Sequence, residues 1–196
     1  MIVLGVDPGT LVTGYGLIEK RNGAIRLLAS GCIRSDAGSS MPLRLRRIFE
    51  TLNTVISRHH PDEFAIETAF HGKNAQSALK LGQARGVAML AAVAKEIPTQ
   101  EYSPREVKRA IVGNGSASKE QVQYMVRVLL HLKTSSGGYD VTDALAVAMC
   151  HLNRQSQVSA GVSRTRGNTG RGSASWKSFV VTHPERVAAP GRVPKR

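Results

Sequence analysis

Long apolar runs are missing from this chain: no stretch approaches the roughly 20 apolar residues that a helix needs to cross a membrane. The N-terminus also lacks a basic segment leading into an apolar run and a small-residue cleavage site, so the expected compartment is the cytoplasm, with no membrane partner. Cysteine is scarce. Cys32 and Cys150 stand far apart without metal-ligand spacing, which argues against a disulfide framework or a thiolate zinc site and fits reduced, half-buried thiols. Acids are outnumbered, with 14 Asp and Glu against 27 Lys and Arg for a net charge of +13, and a surface this positive makes nucleic acid the first partner to test.

What is present is enough apolar sequence for one core: 196 residues, 41% of them hydrophobic. The charge is uneven, because residues 151–196 hold nine basic residues against one acid. Beyond Arg154 the composition turns to Ser, Gly, Thr, Arg and Asn, with few apolar residues before "WKSFVV". The expected organisation is therefore a folded domain over 1–155 and a basic, largely disordered tail over 156–196.

Within the domain, residues 1–7, 14–19 and 25–35 read as three strands of an antiparallel meander, broken at Gly9 and at Asn22-Gly23. From Pro42 the apolar residues Leu45, Ile48, Phe49, Leu52, Val55 and Ile56 recur at helical spacing, ending near His59-His60-Pro61. "EFAIETA" reads as a short buried strand, 74–96 as an Ala-rich helix and "PTQEYSP" as a further strand. Ser103-Pro104 opens a helix over "REVKRAIV", Ser118 caps the next, and "YDVTDALAVAMCHL" is the last. The order predicts an α/β fold with a mixed five-stranded sheet flanked by helices.

Four acids stand in apolar settings: Asp7 ends the first strand, Glu67 ends "FAIE", and Asp140 and Asp143 share one face near the start of the last helix. If strands 1 and 4 are neighbours, all four converge. Four converging carboxylates repel unless cations neutralise them, and hard oxygen donors select Mg2+ or Mn2+. Two such ions about 4 Å apart can activate water and stabilise a leaving oxygen in phosphodiester hydrolysis. Simpler alternatives stand beside this: Asp140 and Asp143 as favourable first-turn residues, Glu67 paired with an arginine, and "DPGT" as a phosphate-cradling turn.

Lys108 and Lys119 flank the loop "IVGNGS" and can present ammonium groups to phosphates beside an acidic centre, or be ordinary helix-face charges. Arg44, Arg46, Arg47, Lys73, Lys80 and Arg85 are candidates for contacts with a nucleic-acid backbone. Phe70, in the Gly-broken entry to the Ala-rich helix, is either a core residue or an exposed ring able to stack on an unpaired base. His59, His60 and His71 lack metal-ligand spacing and read as surface or turn residues, and no serine sits in a nucleophile elbow.

Five separated blocks, "GVDPGT", "IETAF", "NAQSALKLGQARGVAMLAAV", "REVKRAIVGNGSASKEQVQYMV" and "DVTDALAVAMCH", together resemble the RuvC family of bacterial Holliday junction resolvases over about residues 1–153. The resemblance implies a ribonuclease H-like fold and a homodimer whose two active sites make paired nicks in strands of like polarity across a four-way DNA junction. It implies a metal-binding catalytic set of Asp7, Glu67, Asp140 and Asp143, with two Mg2+ per subunit and Mn2+ as a substitute. Lys108 and Lys119 match the family's basic residues near the scissile phosphate and Phe70 its stacking aromatic, while the RuvA junction-binding protein and RuvB branch-migration motor are the implied partners. The tail beyond the common core departs from the family pattern.

Two rivals are set against this. An actin- or sugar-kinase-type phosphotransferase also opens on an Asp-x-Gly-Thr turn, but it needs a second phosphate turn and a second lobe that this length does not supply. A non-catalytic junction-binding module of the same fold would have no use for the acids.

Overall fold

The computed structural model describes residues 1–68, 74–132 and 139–162. The three N-terminal strands form a meander. Strand β1 (Ile2–Asp7) pairs antiparallel with β2 (Val12–Arg21), which pairs antiparallel with β3 (Ala24–Arg34). Asn22 and Gly23, at φ 52° and 81°, close the second hairpin with a two-residue turn whose twist suits the strands. Strand β2 begins earlier than the expected Gly14, because Val12 already pairs with Arg34.

Helix α1 (Met41–His59) takes Pro42 in its first turn, where a missing amide costs nothing, and stops at His60, which turns left-handed at φ 46°. It delivers the chain to β4 (Glu63–Glu67), which lies parallel to β1 on the side away from β2. Helix α2 (Ala75–Val93) is capped by the Asn74 side chain, and β5 (Thr99–Tyr102) then adds parallel to β4. The sheet order is β3-β2-β1-β4-β5. Helices α3 (Pro104–Val112) and α4 (Lys119–Leu129) each start in a capping box, Ser103 with Glu106 and Ser118 with Gln121.

Helix α5 (Tyr139–Val162) continues past the expected domain boundary at residue 155. The remainder of the expected tail, 163–196, lies outside the described residues. No helix among the described residues is long and apolar enough to cross a membrane.

Alternation along the strands divides the core in two. Leu4, Val6, Leu17, Phe64 and Ile66 face α1 and α2. Val3, Ile18, Ala65 and Tyr102 face α3, α4 and α5. Asp7, Glu63 and Glu67 fall in the second register, two or four positions from Val3, Gly5 and Ala65, so the acids of both strands share the α5 face.

Candidate active site

Asp7 and Glu67 end two adjacent parallel strands, and the start of α5 comes down upon them because the sheet beneath it is floored with glycine. A Cβ on Gly5 would stand 2.7 Å from the Ala148 amide nitrogen, and one on Gly14, which pairs with Asp7, would stand 2.5 Å from the Asp140 carbonyl carbon. Real Cβ atoms do not approach so closely. Side chains at these positions would lift the first turns of α5, and Asp140 and Asp143 with them.

The electrostatics record the convergence. Burial, then the charges of Glu67, Asp143 and Asp140, push the Asp7 carboxyl from 3.8 up to about 8, with Lys119 opposing. Burial and Asp143 raise Glu67 in the same way, against Lys119 and a hydrogen bond with Asp7. Burial also raises Asp143, countered by Lys119. The Lys119 ammonium lies 2.6 Å from Asp143 Oδ2; burial pulls its pKa down, but the hydrogen bond and charge of Asp143 outweigh that and raise it. Among the described residues no three His, Cys, Asp or Glu side chains are drawn into metal-coordinating geometry. Lys119 pairs with Asp143, and the Asp7 and Glu67 carboxyls share a hydrogen bond.

A cleft of about 260 Å3 opens beside this cluster, lined by Glu67, Lys108, Lys119 and Asp143 over a floor of Val107, Val122 and Ala146, with Pro104 at its edge. It therefore holds two of the four acids and both predicted lysines. In the "DPGT" turn, Thr13, fully buried, accepts the Gly9 amide at 3.2 Å and donates to the Gly9 carbonyl at 2.6 Å, so the Gly9 amide is spent within the turn rather than offered to a phosphate.

The remaining candidates are scattered. Lys80 is exposed on α2, whereas Arg85 on the same helix is bound to Glu101 of β5. Arg44 is turned back onto the Ser39 and Ala37 carbonyls, Arg46 lies 3.6 Å from Glu50, and Arg47 is exposed. Phe70, Lys73 and His71 lie outside the described residues.

Two neighbours of the cluster escaped the sequence reading. Gln123, buried on α4 one turn after Lys119, helps hold the Asp143 carboxyl down, yet its Nε2 meets no acceptor at hydrogen-bonding geometry. The spacing from Lys119 was the available signal. Tyr139, adjacent to Asp140 and 61% exposed, has the Lys119 ammonium 5.7 Å from its ring centre.

Comparison with known proteins comes down on one side. The family model described as "Crossover junction endodeoxyribonuclease RuvC" matches residues 3–151. A crossover junction endodeoxyribonuclease RuvC of Salinibacter ruber is 42% identical, covering 96% of this chain and 99% of its own. One from Saccharophagus degradans is 52% identical, covering 80% of this chain and 90% of its own. Among solved structures, T. thermophilus RuvC in complex with a Holliday junction substrate superposes with a TM-score of 0.76 at 32% identity, covering 81% of this chain and 96% of that one.

Proposed function

The chain belongs to the RuvC family of crossover junction endodeoxyribonucleases, and on that premise we propose that it resolves four-way (Holliday) DNA junctions in recombination and repair by paired, metal-dependent nicks in strands of like polarity. Its fold is the ribonuclease H-like mixed sheet expected from the sequence. The observation that carries the mechanism is the buried Asp7 carboxyl, held up at about 8 first by burial and then by the charges of Glu67, Asp143 and Asp140.

That donor set fits a hard divalent cation, since every donor is a carboxylate oxygen and burial leaves their repulsion poorly screened. We assign the four acids as ligands for two Mg2+ per subunit, with Mn2+ as a substitute. Bound there, such ions would neutralise the acids, activate water and stabilise the leaving oxygen. Lys108 and Lys119 line the cleft and offer fixed positive charge to an entering phosphate, where a low-dielectric wall strengthens it. On this reading water is the attacking group, and no covalent enzyme intermediate is needed.

Phe70, Lys73, Lys80 and Arg85 belong to the proposed DNA contacts, Arg85 by leaving Glu101. The working partners on this reading are a second copy of the chain, the RuvA and RuvB proteins and junction DNA, in the cytoplasm.

Cleavage of a labelled synthetic four-way junction, with and without Mg2+, tests the reading. Asp7→Asn keeps junction binding and lowers Mg2+-dependent cleavage by about a hundredfold or more, as loss of metal-borne charge stabilisation requires. Unchanged cleavage would sink the assignment, and equal loss of binding and cleavage would make Asp7 structural.

A further inference from the structure

Helix α5 rests on a glycine floor that sets how deep it lies, and Leu145, Val147 and Leu152 pack it into the core by non-directional apolar contact. Its lower half is fixed differently. His151, 2% exposed, is held through both ring nitrogens: Nδ1 lies 2.8 Å from the Tyr102 hydroxyl of β5, and Nε2 is bound to the Glu63 carboxylate at the start of β4. Gln155, one turn on, donates to the same carboxylate at 3.0 Å.

Glu63 stands at the opposite end of β4 from Glu67, and His151 midway along α5, about two turns past Asp143. Glu63 and Glu67 share one face of β4, about 13 Å apart at roughly 3.3 Å per residue. Asp143 and His151 lie about 12 Å apart along α5 at roughly 1.5 Å per residue. The helix runs antiparallel to the strand, so the two spans match. Fixing His151 on Glu63 thereby fixes Asp143 against Glu67. The acids at the other end repel one another and would drive the helix away, and the anchor resists that displacement where it does not compete for metal.

We infer that the Glu63–His151–Tyr102 network is a positioning device for the carboxylate centre, setting the axial register of α5 on β4 and thereby the affinity of the acids for divalent metal. The inference rests on the proposed metal site and concerns residues outside the four acids assigned to it and outside the cleft beside them.

The full-length protein is compared as wild type, Glu63→Leu, Glu63→Gln and Ile48→Val, the last a core change on the opposite face of the sheet. Mn2+ binding is measured by calorimetry, Mg2+ half-activation in junction cleavage, and thermal stability by melting. By the usual weight of groups that orient metal ligands, Glu63→Leu weakens Mn2+ binding and raises half-activation by about tenfold or more, while Glu63→Gln, which retains a hydrogen bond, stays within about threefold. Ile48→Val lowers the melting temperature without moving either metal constant. If Glu63→Leu loses melting temperature but keeps both constants within about twofold of wild type, well inside the range expected of an orienting group, the network is only structural and the inference falls. Should the wild type bind Mn2+ in an Asp7-dependent way yet cleave no junction, the functional reading fails and the Mn2+ constants alone decide the register.

Discussion

Asp7 carries the clearest pH signature of any single side chain among the described residues. Its pKa in the fold lies near 8 against an ordinary 3.8, so the stability linked to it is fully present below the lower value and is lost as pH rises through the upper one. In chelator, the melting temperature should therefore fall between about pH 4 and about pH 8, and Asp7→Asn should flatten that fall. Added Mg2+ should restore stability most at the alkaline end, since it binds the ionised acids. Parallel melting profiles for wild type and Asp7→Asn would show that burial among the other acids does not hold this carboxyl up. Gln123 is the second residue with an unspent interaction. A buried amide nitrogen without an acceptor is costly, and its place beside Asp143 makes that carboxylate its natural partner.

At the scale of elements, the contact between α5 and the sheet decides whether the acids meet. Gly14→Ala would drive a methyl group into the Asp140 carbonyl, and overpacking of this kind costs about 1–3 kcal/mol. Cleavage should suffer beyond that stability loss, because the displaced turn is the one that carries Asp140. Gly23→Ala is the matched control: the φ of 81° makes alanine unfavourable by about 1–2 kcal/mol, but nothing lies within 4 Å of the added methyl and the active site is remote, so cleavage should stand. Equal cleavage by the two variants at equal stability would show that the glycine floor does not place the acids. The same contact marks where sequence reading stopped. Asp7, Glu67, the Asn22-Gly23 turn and the Ser103 and Ser118 caps were legible because strand ends, turns and caps are set by neighbours in the chain. Gly14 and Gly16 were visible as glycines, but not as the floor of a helix more than a hundred residues away. Glu63 and His151 carry no motif; only the parallel pairing of β4 with β1, and the antiparallel course of α5 across them, brings the two together. Arg85 looked like a free cation until β5 supplied Glu101.

For the molecule as a whole, the open question of physics is the face of α2 turned away from the sheet. Ala84, Ala88, Ala91 and Ala92 are buried against the core, while Leu79, Leu90 and Val93, 65%, 56% and 57% exposed, follow the opposite side. Between them Gly82 and Gly86 face open space, with nothing within 4 Å of an added Cβ. Large apolar residues interleaved with glycine on one helix face allow close approach of another surface, and water is a poor partner for them. A second copy of the chain fits, because two active sites related by a two-fold axis match a junction with two-fold symmetry. If the chain is the proposed homodimer and pairs through this face, Leu90→Glu should shift the sedimenting species from dimer to monomer. Since α2 packs on the face of the sheet opposite to α5, Mn2+ binding per chain should be unchanged. Single nicks should persist while paired nicks within one binding event are lost, because each junction then meets one active site at a time. A variant that remains dimeric, or a monomer that still makes paired nicks at wild-type frequency, would remove α2 from the interface or the interface from the mechanism.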